Sequence, residues 1–270
     1  MDSTRLSPGG ISSLPAIEVP PRDRILILGC IASVTVLAWA YLVHLDRQMS
    51  VGREYAKEMA AMGMSMDAPW TADDVLFTFA MWAIMMVGMM APSASPMFLL
   101  FAGARAGRGQ SAASLATLAF GLGYIAVWTA FSAGATLAQY GLHQAALLSP
   151  AMATSSNRLT GAILIAAGIY QTTPWKQRCL THCRSPLGFL MIQWRDGVWG
   201  AFQMGFRHGM FCLGCCWALM GLLFAVGVMN LLWVAVLTVF VLFEKIGWAG
   251  AMVARIVGVA LVVVGVFVMV

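Results

Sequence analysis

Val75-Leu-Phe-Thr-Phe-Ala-Met-Trp-Ala-Ile-Met-Met-Val-Gly-Met-Met-Ala-Pro-Ser-Ala-Ser-Pro-Met-Phe-Leu-Leu-Phe-Ala-Gly103 carries no charged residue and exceeds the run of about 20 apolar residues that crosses a bilayer as a helix. Its apolar side chains are continuous and do not alternate, which excludes a strand of a transmembrane barrel. Similar runs at 25–45, 112–138, 158–174, 200–226, 231–243 and 251–270 predict an all-α, polytopic transmembrane bundle of about seven spans, with six as the lower count. Composition points the same way. The 270 residues are 60% hydrophobic and 10% charged, whereas soluble domains carry about 25% charged residues. A soluble enzyme with a water-excluding cleft and a nucleotide-binding α/β domain are excluded. The net charge of +5 reads as topology and headgroup attraction, with no nucleic-acid partner.

Lys and Arg mark the cytoplasmic side of a span. Arg22 and Arg24, Arg105 and Arg108, the group Lys176, Arg178, Arg184 and Arg195, and Lys245 alternate with poorer connections, which predicts a cytoplasmic N-terminus. Residues 1–24 hold four of the ten prolines without apolar periodicity and read as a disordered cytoplasmic tail. Residues 25–270 read as one transmembrane domain, with an external segment at 46–74 and a basic, cysteine-bearing cytoplasmic loop at 175–199. Glu244 and Lys245 read as turn residues before the last span, with no function demanded of them.

Sulfur is concentrated where packing explains it poorly. Met59, Met62, Met64 and Met66 fall in the polar external segment, either as thioethers that select Cu(I) or as the lipid-facing side of an interfacial helix. In the run quoted above, Met81, Met85 and Met89 form one helical row, with Met86 and Met90 beside it. Pro92 and Pro96 leave carbonyls there without helical partners, so this stretch should face protein or a wet cavity. Between 200 and 226, Met204, His208, Cys212, Cys215 and Cys216 share one face. Counting from the span ends puts Met86 and Met90 level with Cys212 and Cys216 near mid-membrane, a candidate site provided the helices touch. In the basic loop Cys179, His182 and Cys183 lie within one helical turn, and nearby Lys176, Arg178 and Arg184 should favour thiolate. Gly205 and Gly209 form a small-xxx-small pair that permits close helix contact. The six cysteines, on the predicted inside or in spans, form no structural disulfide framework. No P-loop, nucleophile elbow or catalytic carboxylate pair is present, so no catalytic residues are assigned.

Three stretches together carry a resemblance: Met81-Trp82 through Met89-Met90-Ala91-Pro92-Ser93; Tyr170-Gln171 through Cys179 and Cys183-Arg184-Ser185-Pro186-Leu187-Gly188; and Cys212-Leu213-Gly214-Cys215-Cys216-Trp217 with Gly227-Val228-Met229-Asn230. They resemble a bacterial family described as predicted metal-binding integral membrane proteins, sometimes labelled copper chaperones. The resemblance covers residues from about 70 to 270 and implies a bundle in the bacterial inner membrane with a metal role. The leading reading is a Cu(I)-handling protein, with zinc as the second candidate ion, membrane lipids as surroundings and a copper enzyme or copper chaperone as partner. Two rivals stand beside it: a membrane thiol-disulfide oxidoreductase and a non-catalytic scaffold subunit.

Overall fold

The computed structural model describes residues 19–62, 70–111, 114–145, 147, 154, 156–247 and 249–270. Among these, nine helices account for almost all of the ordered backbone: α1 (Pro21–Ala61), α2 (Ala72–Ala106), α3 (Leu115–Gln144), α4 (Asn157–Thr172), α5 (Pro174–Arg184), α6 (Pro186–Gln193), α7 (Gly197–Val226), α8 (Leu231–Ile246) and α9 (Gly250–Met269). The chain is all-α, and five helices, α1, α2, α3, α7 and α9, are long and apolar enough to cross a bilayer. Helices α4 and α8, with 16 residues each, would rise about 24 Å, short of the roughly 30 Å hydrocarbon core.

The helix ends follow local chemistry. Thr71 caps α2 reciprocally with Asp74: its hydroxyl accepts from the Asp74 amide, and its own amide donates to the Asp74 carboxylate at 2.8 Å. The run from 158 to 174, read as one span, is α4 and ends at Thr172, because Pro174 cannot continue it and instead opens α5, with Thr173 as the cap. The stretch 175–199, read as a loop, is largely the helices α5 and α6. At the other end of the chain α1 starts at Pro21, inside the stretch read as tail, and continues past position 45 to Ala61. Most of that tail, and Met64 and Met66 of the segment read as external, lie outside the described residues.

Helix α7 is the hub, packed along α3 and in contact with α4, α5 and α8, while α2 bridges α1, α3 and α8. Small residues make the closest approach: a side chain on Gly205 of α7 would run into the backbone of Phe120 on α3, and Gly209 abuts Val127. The small-xxx-small pair therefore has the packing role read from its spacing. Helices α4 and α9 interlock in the same way through Gly168 and Gly258. Gly227, with φ +97, turns the chain between α7 and α8. The outer faces of α1 and α9 expose Val36, Leu37, Ile256 and Phe267.

Basic residues gather at one end. Ile27 of α1 packs against Ala102 of α2, and the Arg108 guanidinium lies 3.6 Å from the centre of the Trp194 ring. The N-terminal end of α1, the α2–α3 turn and the α6–α7 turn, with Arg24, Arg105, Arg108 and Arg195, thus share one side of the bundle.

Candidate metal centre

The two soft-ligand faces meet. Every methionine of the α2 rows, Met81, Met85, Met86, Met89 and Met90, is buried, and so are Cys212, Cys215 and Cys216 of α7; all eight belong to one core cluster. The direct contact is the Cys216 Sγ, 4.0 Å from the Met90 Sδ. Cys212 Sγ lies 3.0 Å from the Tyr124 hydroxyl of α3 and 3.0 Å from the Lys245 Nζ of α8. Lys245 Nζ also donates to Ser93 Oγ at 3.0 Å and sits 3.9 Å from Met90 Sδ. Four helices therefore deliver one side chain or more to a single point.

The α2 prolines explain part of this. The Ser95 hydroxyl donates to the Pro92 carbonyl at 2.8 Å, and the Ser93 hydroxyl to the Met90 carbonyl at 2.9 Å. Ser93 and Pro96 line a cavity of about 200 Å³ together with Tyr124, Cys183, His208, Cys212 and Lys245. The proline-bearing stretch thus faces both protein and a cavity, and the Pro92 carbonyl that Pro96 deprives of a helical partner is taken by Ser95.

Helix α7 divides its thiols between two neighbours. Cys212 and Cys216 serve the point shared with α2 and α8, whereas Cys215 Sγ lies 4.0 Å from Cys183 Sγ of α5. Cys179 of the same helix fits against Gly214, where a side chain would collide with its Sγ at 2.7 Å. Cys179 and Cys183 therefore face the thiols of α7. His182 does not join them. Its ring is exposed and stacked on Phe211 of α7 at 4.3 Å, with Nδ1 held by the Arg178 carbonyl at 2.8 Å. The expected thiolate character of Cys179 is also corrected, since burial, together with Cys215, pushes this thiol above its ordinary range. Lys176, counted as a nearby positive charge, turns inward to Glu244, and Arg184 donates to the Gly247 carbonyl at 2.7 Å.

His208 is buried beneath Phe120, Tyr124 and Phe189. Its Nδ1 is a buried atom without a hydrogen-bond partner among the described residues, and the ring lines the cavity. Met204 belongs to a separate core with Met97 and Phe120, where its Sδ accepts from the Arg195 amide. It stands apart from the thiols. In the segment read as external, Met59 is partly buried near the end of α1 and Met62 is exposed.

Glu244 and Lys245 are the residues that sequence reasoning missed. Both are buried, at 2% and 7% exposure, and occupy the last turn of α8. Tyr124 and Ser93 were missed as contacts of the centre as well. A charge in the turn after an apolar span reads as interfacial, and only the shortness of α8 hinted otherwise: a helix that ends early leaves its terminal residues inside the bundle. The centre lies level with the C-terminal end of the short α8 and, as its spacing suggested, near the middle of α2 and α7, where Met90 and Cys212 stand.

Among the described residues no three His, Cys, Asp or Glu side chains converge closely enough to hold an ion unaided. The donor set is mixed: thiols of Cys212 and Cys216, the Met90 thioether and, further along the cavity, the His208 imidazole. Such ligands suit a soft ion of low coordination number, Cu(I) before others. The molecule is thus a helical bundle with a buried sulfur centre beside a cavity lined by Arg184, His208 and Lys245. A family model described as copper chaperone, PpoB2, matches residues 79–268, most of the chain and every residue of the centre, and the chain belongs to this family. No curated protein and no solved structure matches it.

Proposed function

We propose that this protein is a multi-pass protein of the bacterial inner membrane that binds Cu(I) between α2 and α7 and delivers it for metalloenzyme assembly or transport. The observation that carries the reading is the convergence of Met90, Cys212 and Cys216 at one buried point in a chain of a copper chaperone family. Cys215 and Cys183 form a second sulfur pair 4.0 Å apart, and His208 stands beside the cavity between the centre and Arg184. The ion is exchanged through this cavity, and the face formed by α5 and α6 is where a copper-accepting partner docks.

Seven membrane helices, with the N-terminus and the α5–α6 face in the cytoplasm, agree with the gathering of Arg24, Arg105, Arg108 and Arg195 at one end. The short helices α4 and α8 complete this count. Met59, Met62, Met64 and Met66 then lie outside and collect the ion. A thioether entrance and a thiolate interior form an affinity gradient that favours inward movement. The protein acts as a binding and delivery protein.

The test is metal content and Cu(I) competition on detergent-purified protein, beside a Cys212→Ser, Cys215→Ser, Cys216→Ser variant with a matching size-exclusion profile and thermal unfolding curve. Stoichiometric copper in the parent and its loss in the variant are expected. A parent that holds neither copper nor zinc under reducing conditions sinks the reading, and a Cys183–Cys215 disulfide in that protein would turn attention to thiol exchange.

A further inference from the structure

Lys245 carries a positive charge into a place where the cargo is itself a cation. Its ammonium donates to Cys212 Sγ and Ser93 Oγ, both at 3.0 Å, and points its remaining hydrogen toward Met90 Sδ at 3.9 Å. The neighbouring carboxylate does not balance it. Glu244 is taken by Lys176, with both oxygens 2.8 Å from Nζ, and by the Gln171 amide at 2.9 Å. Among the described residues no carboxylate lies within ion-pair distance of Lys245. A buried charge without a counter-charge is costly, so its partner must come from the sulfur ligands.

The charges close when Cu(I) is bound. Two thiolates around one monovalent cation make a unit with a single negative charge, and the lysine ammonium neutralises it. Each coordinating thiol gives up its proton to water through the cavity. The same two thiolates around a divalent ion such as Zn(II) are already neutral, and the lysine then leaves one positive charge uncompensated in the bundle. We infer that Lys245 is the counter-charge of the Cu(I)–bis-thiolate unit formed by Cys212 and Cys216, and that it sets the centre's preference for a monovalent over a divalent soft ion. This rests on the copper reading above. It adds a selectivity device, with Ser93 and Tyr124 as the groups that hold the ammonium and the Cys212 sulfur in register.

The experiment compares the parent with Lys245→Gln and Lys245→Arg in Cu(I) and Zn(II) competition titrations on purified protein, using Lys245→Leu as the second neutral replacement if the glutamine variant misfolds. The neutral variant is expected to lose Cu(I) affinity by about thirtyfold or more, on the scale seen when one member of a buried charge pair is removed. Its Zn(II) affinity should be unchanged or tighter, and Lys245→Arg should recover most of the Cu(I) affinity. Cu(I) binding that is equal or tighter in the neutral variant overturns the inference, because the lysine would then be a competitor of the ion. Equal losses for both metals overturn it too, since a structural role moves both. A parent that binds no Cu(I) brings down the copper reading and this inference together, and is told apart by the parent alone.

Discussion

Two buried lysines on opposite sides of α8's last turn meet different fates. Lys176 of α5, fully buried, closes on the Glu244 carboxylate and the Gln171 side chain, a network whose charges cancel within the protein. Lys245, one residue beyond Glu244, closes on a thiol, a hydroxyl and a thioether. The first arrangement is complete in itself and fastens α5 to α8. The second is balanced only when the sulfur ligands become anionic, which is what binding a soft cation does to them. On the copper reading proposed above, adjacent residues of one helix turn separate structure from cargo.

The largest effect expected from breaking this comparison is at Lys176. Lys176→Leu leaves Glu244 buried without its partner and should destabilise the bundle by about 3–5 kcal/mol, read as a lowered unfolding transition in detergent. Replacing both members, Lys176→Leu with Glu244→Leu, should recover most of that loss, because two well-packed apolar side chains match a buried ion pair in stability. Copper stoichiometry per folded molecule should survive the double replacement. Loss of copper there would place Glu244 in the centre and erase the distinction between the two lysines.

A smaller effect is expected at Ser93. Ser93→Ala removes one acceptor of Lys245 and one donor to the Met90 carbonyl, at a cost of about 1 kcal/mol. Cu(I) affinity should fall by less than in the neutral Lys245 variants, since the charge remains. An effect as large as theirs would assign the lysine's role to hydrogen bonding alone.

The helices and the sulfur faces were legible in the sequence because both depend on local spacing. Unbroken apolar length marks a helix in lipid, and residues three and four apart mark its face, so Met90, Cys212 and Cys216 could be named before their helices were seen to touch. What spacing does not carry is the partner across the gap. Tyr124 looks like any aromatic residue of an apolar span, yet it lies on the line where Gly205 and Gly209 bring α3 against α7. Lys245 looks interfacial because burial depends on where the neighbouring helices α2 and α7 continue beyond the end of α8. His182 misled in the opposite sense: one helical turn links it to Cys179 and Cys183 in sequence, but both cysteines face the thiols of α7, whereas the imidazole lies exposed against Phe211.

That last division supplies the smallest expected effect. His182→Ala removes a ring stacked on Phe211 and a contact to the Arg178 carbonyl, both at an exposed position, and should leave copper stoichiometry and Cu(I) affinity at the parent's values. Tyr124→Phe, by contrast, deletes a hydroxyl 3.0 Å from Cys212 Sγ. An interhelical hydrogen bond within a membrane bundle contributes about 0.6 kcal/mol, so a loss of Cu(I) affinity of about threefold is expected there. The pair separates the exposed imidazole from the buried centre under one titration. If His182→Ala weakens copper more than Tyr124→Phe does, the ion rests at His182 and not beside Lys245, and the lysine balances no cargo.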